Sequence, residues 1–158
     1  MKQVTTKPLN GSPETFQTLE VIEPTMLKEL ERLFQLSWSD FRFDVKCQKG
    51  VPNPIAALKD GKLIGGLAFT LFSSPEHSGS DKNRPNVIWL NALYVDETCR
   101  GQGVARHLID CAIQLMSNTE QRALFAYTDV PLMYLHLGWK TIDSECEEGH
   151  QVVGVELT

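Results

Sequence analysis

Apolar residues recur at helical spacing in two stretches of the chain. In residues 24–38 they fall at every third or fourth position, and Pro24 stands in the first turn, where its missing N–H costs nothing. Residues 103–116 carry the clearest apolar stripe of the sequence. A shorter helix is predicted over residues 131–137, because Gly138 follows at the place where a helix commonly ends on glycine.

Other stretches carry the pattern of β-strands. Residues 87–95 are almost wholly apolar or aromatic, as expected of a strand covered on both faces. Residues 54–59 and 62–72 flank Asp60-Gly61, which favours a type I′ hairpin turn because both central positions need a positive φ. The remaining predicted strands are residues 16–22, 123–128, 139–143 and 151–157. This order of elements predicts an α/β (α+β) fold with a mixed sheet.

Length and composition are those of an ordinary globular domain. The chain has 158 residues, of which 42% are hydrophobic and 22% are charged. That length supports one hydrophobic core, so a single domain over residues 1–158 is predicted. Residues 1–15 contain two prolines and a glycine among polar residues and predict a loose N-terminal arm. Residues 73–86, also polar and proline-containing, predict a loop.

Charge and cysteine usage narrow the class of partner. A formal net charge of −5 argues against binding to nucleic acid, which needs a basic face, but suits a cationic small substrate. The N-terminus lacks the apolar core of a signal peptide, and no apolar run approaches the roughly 20 residues that cross a bilayer. The four cysteines have no metal-like spacing and are interpreted as reduced thiols. We therefore expect a cytoplasmic protein with no metal, nucleic-acid or membrane partner.

The most informative segment is VDETCRGQGVARHLID, residues 95–110, in which RGQGVA (residues 100–105) opens the second helix. Small residues there let backbone N–H groups approach a ligand, and a helix N-terminus offers unpaired donors to phosphate. Arg100 is expected to add a charge-assisted contact. A Walker-type loop is excluded because no Gly-Lys-Ser/Thr follows. A strand–turn–helix that uses its glycines only for tight packing is the alternative.

In its context this segment resembles the hallmark of the GNAT superfamily of N-acetyltransferases, Arg/Gln-x-x-Gly-x-Gly/Ala after a buried strand. Arg100, Gly103 and Ala105 stand at the matching positions, while residues 96–98 lack the usual proline. The resemblance implies a mostly antiparallel central sheet flanked by helices, with splayed central strands. It also implies acetyl-CoA (coenzyme A) as cofactor, its pyrophosphate held by the loop. The cofactor-binding residues implied here are Leu93, Tyr94, Val95, Arg100, Gly101, Gln102, Gly103, Val104, Ala105 and Arg106.

Residues 123–139, ALFAYTDVPLMYLHLGW, resemble the second cofactor segment of the same family, with the match carried by Tyr134 and by Gly138-Trp139. The resemblance implies that Tyr134 lies near the sulfur of coenzyme A and acts as general acid. A phenol with a pKa of about 10 is protonated at neutral pH and can donate a proton. The alternative is a packed core tyrosine. Tyr127 replaces an asparagine frequent in the family and is a further expected cofactor contact.

The resemblance implies direct transfer in a ternary complex, in which a neutral amine attacks a thioester carbonyl held by a backbone N–H of the strand at residues 89–95. A bulge near residues 91–92 is expected to splay this strand from residues 123–128, so that the pantetheine arm fits like an extra strand. Asn91 stands where many relatives carry a glutamate base, and it is expected to orient a water or the amine. Asp129 is an alternative base, although an N-cap role is favoured for it.

The acceptor amine is expected near residues 38–44 and 73–86, where Phe41 and Phe43 provide apolar surface for a cationic amine. Packing at the helix end is the alternative for the same phenylalanines. The carboxylates expected at this site are those of Asp40, Asp44 and Asp129. For three histidines solvent exposure is favoured over catalysis: His77, His107 and His136.

The predicted function is N-acetyl transfer from acetyl-CoA to a primary amine of a small molecule or peptide. The alternatives are a non-catalytic acyl-CoA-binding sensor or regulatory module and a scaffold without a cofactor. Dimers are common in the resembled family, so a homodimer is a further expectation.

Overall fold

The computed structural model describes residues 3–4, 16–43, 50–75 and 84–158. Within these ranges the strands are β1 Gln3–Val4, β2 Gln17–Glu20, β3 Ile55–Lys59, β4 Lys62–Ser73, β5 Asn86–Val95, β6 Ala123–Thr128, β7 Lys140–Ile142 and β8 Gln151–Glu156. The helices are α1 Pro24–Phe34, α2 Val104–Ser117 and α3 Pro131–His136, and a 3-10 turn at Glu97–Cys99 precedes α2. Among the helices described, none is both long and apolar enough to span a membrane.

The chain divides into two compact units, Met1–Ala68 with Ala92–Ala112, and Phe69–Asn91 with Ile113–Thr158. The strands β4 and β5 each contribute to both units. Neighbouring strands of the first unit follow the order β1-β2-β3-β4-β5, and those of the second follow β4-β5-β6-β8-β7. The β5–β6 pair is parallel, whereas β1–β2, β2–β3, β6–β8 and β7–β8 are antiparallel. The predicted mixed, mostly antiparallel sheet with helices is confirmed.

Helix α1 supplies the centre of the first unit's core. Its apolar stripe buries Leu30 and Phe34 completely, each at 0% exposure, against side chains of β2, β3, β4 and β5. The helix ends at Phe34, four residues before the predicted end at position 38. The prediction is wrong here because the N–H groups of Leu36 and Ser37 bond to carbonyls three residues back, which tightens the chain into turns.

The β3–β4 hairpin forms as its sequence predicts. Asp60 has a φ of 52° and Gly61 a φ of 77°, the pair of positive values that a type I′ turn requires. Strand β1 was not predicted: Gln3 and Val4 pair with Leu19 and Thr18 of β2. The other residues of the predicted N-terminal arm, 1–2 and 5–15, lie outside the described residues.

In the second unit the parallel pairing of β5 with β6 consists of Trp89 with Phe125 and Leu90 with Ala126. The last two residues of β6, Tyr127 and Thr128, are registered with β8. The two registered pairs of β5 with β6 lie at positions 89 and 90, and the bulge expected near positions 91–92 stays a prediction.

The connection from β6 to α3 differs from the prediction. Val130, not Asp129, is the N-cap residue of α3, and its side chain makes no capping bond. The N–H of Val130 instead donates to the hydroxyl oxygen of Thr128 at 2.9 Å. The predicted N-cap role of Asp129 is therefore wrong, because the helix begins one residue later and a threonine at the strand end holds the turn.

Candidate active site

The end of β5 directs its backbone groups to two different edges. The N–H of Asp96 donates to the carbonyl of Ile64 in β4 at 2.7 Å. The carbonyl oxygen of Tyr94 also faces β4, since it is the nearest atom to a Cβ placed on Gly65. Backbone groups of successive strand residues alternate between the two edges, so those of Val95 point away from β4. By the same alternation, the backbone groups of Leu93 lie at the same edge of β5 as those of Val95. Leu93 and Val95 are the two residues expected to contact the cofactor through their backbone.

Arg100 turns back onto this strand end. Its Nε donates a hydrogen bond of 2.9 Å to the carbonyl oxygen of Val95. Its guanidinium carbon lies 5.4 Å from the centroid of the Tyr94 ring, within the range of a cation–π contact. The sequence predicted a charge-assisted contact from Arg100 to phosphate. The structure gives the side chain two partners within the protein, both on β5.

The glycines of the loop are required by backbone conformation. Gly101 has a φ of 78° and Gly103 a φ of 85°, values that strain a residue with a Cβ. A Cβ placed on either glycine would meet no atom within 4 Å, so crowding by the protein is not the reason for glycine. Gln102 between them is exposed, as are both glycines. This arrangement leaves the backbone of the loop accessible to a ligand.

Helix α2 begins directly after this loop. Its first helical hydrogen bond at this end runs from the N–H of His107 to the carbonyl of Gly103, at 3.0 Å. Helix geometry therefore provides no intrahelical acceptor for the N–H groups of Val104, Ala105 and Arg106. These amides carry the partial positive charge of the helix N-terminus, a natural site for an anion. The Val104 side chain, 1% exposed, anchors this end of the helix in the core.

The inner face of α2 packs against Phe16 and Thr18. The ring of His107 lies edge-on to Phe16, with 4.8 Å between centroids. Burial lowers the pKa of His107, and the nearby Asp110 opposes that shift. The hydroxyl of Thr18 lies 3.4 Å from the Cys111 sulfur, and burial raises the pKa of that thiol. His107 is half-buried, so the expectation that it is a solvated surface residue is wrong, because Phe16, directly before β2, packs onto its ring.

Tyr134, the predicted general acid, is packed in the second unit. It is 4% exposed, and its ring lies edge-on to Trp139 with 5.0 Å between centroids. Its carbonyl accepts hydrogen bonds from the N–H groups of Leu137 and Trp139, which close the C-terminal end of α3. Burial raises the pKa of Tyr134 to about 12, so the phenol is protonated at neutral pH. The packing alternative therefore describes its surroundings, and the role as acid stays a prediction.

Comparison of the sequence with models of protein families gives a match over residues 23–138, to the acetyltransferase (GNAT) family. The matched region includes the loop at residues 100–105 and the tyrosine of α3, and it exceeds two thirds of the 158-residue chain. The chain belongs to the GNAT family of acetyltransferases. The resemblance noted from the sequence is thereby confirmed. No curated protein matches the sequence.

Solved structures of GNAT proteins share the fold at low sequence identity. The complex of Arabidopsis thaliana NAA60 with acetyl-CoA is 19% identical, with a TM-score of 0.67 over 90% of this chain and 100% of that one. The ribosomal-protein-S18-alanine N-acetyltransferase of Escherichia coli is 13% identical, with a TM-score of 0.64 over 91% and 95%. An aminoglycoside 6′-N-acetyltransferase complexed with coenzyme A is also 13% identical, with a TM-score of 0.63 over 88% and 96%.

The two units divide the predicted residues of this GNAT chain between them. The first unit contains the backbone contacts at positions 93–95 and the loop through Arg106, together with both phenylalanines predicted for the acceptor. The second unit contains Asn91, Tyr127, Asp129 and Tyr134. Asn91 and Asp129 are both exposed.

Tyr127 has a partner that the sequence did not reveal. Its hydroxyl accepts a hydrogen bond of 3.0 Å from the N–H of Glu147, and its ring stacks on His150 at 5.0 Å and 18°. Tyr127 therefore holds the segment between β7 and β8, although the predicted cofactor contact is not tested by this. Histidine and glutamate in a polar segment gave no pattern from which to predict the contact. The expected exposure of His136 is confirmed.

Phe41 and Phe43 form an aromatic cluster at the end of α1. Their rings lie 5.0 Å and 6.0 Å from that of Phe34, and 5.1 Å from each other. The N–H of Phe43 donates to a carboxylate oxygen of Glu31 at 2.8 Å, and the Gln35 amide donates to the carbonyl of Phe41 at 2.9 Å. The helix-end packing considered for this pair is thus present. Asp40 is exposed, whereas Asp44, expected at the acceptor site, and His77, expected in solvent, lie outside the described residues.

Proposed function

We propose that this GNAT protein transfers an acetyl group from acetyl-CoA to a primary amine of a small molecule or peptide, by direct attack in a ternary complex. The observation that carries the proposal is the loop at residues 100–105, where two exposed glycines with positive φ lead into the N-terminal end of α2. That arrangement suits a diphosphate group. NAA60 crystallised with acetyl-CoA and an aminoglycoside acetyltransferase crystallised with coenzyme A share the fold, which supports the same cofactor here.

In this proposal each part of acetyl-CoA is held by a different group of residues. The amides of Gly103, Val104 and Ala105 would hold the diphosphate. Backbone groups of Leu93 and Val95, which β4 does not use, would hold the amides of the pantetheine arm. When bound, acetyl-CoA supplies an activated thioester carbonyl. The protein's task is to hold that carbonyl beside a neutral amine.

Tyr134 is the proposed hydrogen-bond donor to the sulfur of coenzyme A as it leaves. A phenol with a pKa of about 12 is a weaker acid than a thiol, for which the usual pKa is about 8.5. We therefore assign Tyr134 as a hydrogen-bond donor whose proton moves towards the sulfur as the C–S bond breaks, rather than as a group that ionises beforehand. The new C–N bond would form at the same carbonyl carbon, the proton lost by the amine would pass to water, and water would return a proton to Tyr134. Asn91 would orient the amine or that water.

The charge of the chain and the related structures support the proposed class of acceptor. The formal charge of −5 favours a cationic amine over an anionic one. The related structures include Arabidopsis thaliana Naa50 in complex with the bisubstrate analogue CoA-Ac-MVNAL and an aminoglycoside 6′-N-acetyltransferase, so peptide and small-molecule amines are both in the proposal. We also propose a cytoplasmic location, because the three described cysteines are free thiols. Cell fractionation tests the location, and sedimentation of the purified protein tests for a homodimer.

The test of activity is a panel of amines incubated with the protein and acetyl-CoA. The panel contains an aminoglycoside, a polyamine, free amino acids and short peptides that differ at the first residue. Free thiol and the mass of each product are measured together, so that hydrolysis of the thioester is distinguished from transfer. Amine-dependent thiol release with an acetylated product is expected. Binding of acetyl-CoA without any transfer would replace the enzyme with an acyl-CoA sensor, and absence of binding would contradict both.

A further inference from the structure

The side chain of Arg100 contacts two neighbouring residues of the protein itself. Its Nε donates to the carbonyl of Val95, which closes the turn from the end of β5 to the loop. The same turn is held by the N–H of Cys99 on the carbonyl of Asp96, at 2.8 Å, and by the N–H of Asp96 on the carbonyl of Ile64 in β4. Arg100 is thus one of a set of contacts that fix how the chain leaves β5.

The Val95 carbonyl accepts its hydrogen bond from Arg100 and not from β4. It points to the edge of β5 away from β4, so the neighbouring strand in the first unit does not satisfy it. A backbone carbonyl left unpaired where a ligand excludes water costs free energy comparable to a lost hydrogen bond. With Arg100 on this oxygen, the N–H of Val95 and the groups at position 93 are left for the cofactor.

Glutamine can be compared with arginine as a donor at position 100. These side chains share no charge, but both carry a donor nitrogen bonded to Cδ: Nε in arginine and Nε2 in glutamine. Lysine has a carbon atom at that place, and its ammonium group lies one atom further out. What arginine and glutamine have in common is therefore a donor at the reach that the bond to Val95 requires.

We infer that Arg100 is a positioning residue, which supports cofactor binding through its Nε bond to the Val95 carbonyl rather than through its charge on the diphosphate. This inference rests on the proposed binding of acetyl-CoA. The contact of the guanidinium with Tyr94 holds the side chain over the strand end in the same orientation. Because the bond acts on β5, its loss disturbs the backbone that meets the pantetheine arm and the direction of the chain into Gly101.

Three substitutions separate the two roles, since Arg100→Gln keeps the donor, Arg100→Lys keeps the charge and Arg100→Ala keeps neither. The dissociation constant for acetyl-CoA is measured by calorimetry for each, after thermal unfolding has established that each is folded. The inference predicts that Arg100→Ala and Arg100→Lys bind acetyl-CoA about tenfold more weakly than the native protein, and that Arg100→Gln binds it within about threefold of the native protein. Native affinity in Arg100→Lys, together with an Arg100→Gln variant as weak as Arg100→Ala, would overturn the inference.

A second measurement removes the diphosphate from the ligand. S-acetylpantetheine lacks the phosphates, so a contact between the charge of Arg100 and the diphosphate cannot contribute to its binding. The inference predicts that Arg100→Ala weakens the binding of S-acetylpantetheine by about the same factor as the binding of acetyl-CoA. An effect that disappears with the diphosphate would assign Arg100 to phosphate binding and contradict the inference.

The hydrogen bond itself is tested without ligand. In the native protein the Arg100 Nε proton is expected to exchange slowly with water, as seen in an arginine side-chain NMR spectrum. Fast exchange there would contradict the inference whether or not acetyl-CoA binds. A native protein that binds no acetyl-CoA, yet protects this proton, would instead contradict the proposed function and leave Arg100 with a purely structural role.

Discussion

Gly65 of β4 lies directly against Tyr94 of β5. A Cβ on Gly65 would stand 2.7 Å from the carbonyl oxygen of Tyr94 and 3.3 Å from the Cα of Val95. Both atoms belong to the backbone, so no change of rotamer could make room. The absence of a side chain at position 65 therefore allows β5 to run where it does, immediately before the loop assigned to the diphosphate.

The Gly65→Ala substitution is expected to push the end of β5 outward. We predict a loss of about 1–3 kcal/mol in the free energy of unfolding, the usual cost of overpacking, together with weaker binding of acetyl-CoA. Denaturant unfolding and calorimetry measure the two effects. The matched control is Gly66→Ala, whose Cβ would meet the Cδ1 of Leu30 in α1 and the carbonyl of Ile55. That variant should lose stability while the folded protein keeps its affinity, and equal affinities of the two variants would contradict the assignment.

Gly103 tests the conformation of the loop separately from its packing. Its φ of 85° lies in the left-handed region, and a Cβ would meet no atom, so Gly103→Ala introduces strain without a clash. We predict a loss of about 1–2 kcal/mol in the free energy of unfolding, and a smaller loss for Gly103→Asn, because asparagine tolerates this region better. Denaturant titration of both variants gives the comparison. If alanine and asparagine cost the same, the positive φ is not what selects glycine at this position.

Tyr134→Phe is expected to impair transfer and spare binding. Without the hydroxyl the departing sulfur loses its donor, so kcat should fall by about 100-fold, at the lower end of what general acids contribute. The dissociation constant for acetyl-CoA should change by less than about twofold, since the ring still packs against Trp139. Steady-state kinetics and calorimetry provide the two numbers. An unchanged kcat would remove Tyr134 from the mechanism.

The same tyrosine gives the protein a distinct response to alkali. Burial raises the pKa of Tyr134 to about 12 in the folded state, against about 10 in the unfolded chain. Its contribution to stability is therefore fully present below about pH 10 and is lost as the pH rises through about 12. At about pH 11 the expected loss is on the order of 1.4 kcal/mol. Unfolding free energies at two pH values should show this loss in the native protein and not in Tyr134→Phe.

The sequence predicted best those features that depend on local patterns. The bounds of β6 are the predicted ones, α2 begins at Val104 and ends at Ser117, each one residue later than expected, and the Asp60-Gly61 turn has the predicted form. Strong apolar periodicity and a turn sequence that only one conformation suits explain this agreement. The family was also predicted, because the spacing of an anion-binding loop is set by its backbone chemistry.

Features that depend on distant residues were not predictable in this way. His107 was expected in solvent, but its ring packs against Phe16, which is distant from it in the sequence. The hydroxyl of Tyr127 has its partner in Glu147, twenty residues away, and no pattern connects the two positions. The end of α1 depends on tight turns that its periodicity did not indicate. In each case a tertiary contact decided between alternatives that were locally equivalent.

Amide NMR during a titration with acetyl-CoA tests whether the backbone at the start of α2 binds a diphosphate. We predict saturable, one-to-one shifts that are largest at Gly101, Gly103, Val104 and Ala105, with a smaller response in the Gly103→Ala variant. The same shifts should appear with coenzyme A, because the diphosphate and not the acetyl group is bound there. A spectrum in which these amides do not move at a saturating concentration of either ligand would contradict the account.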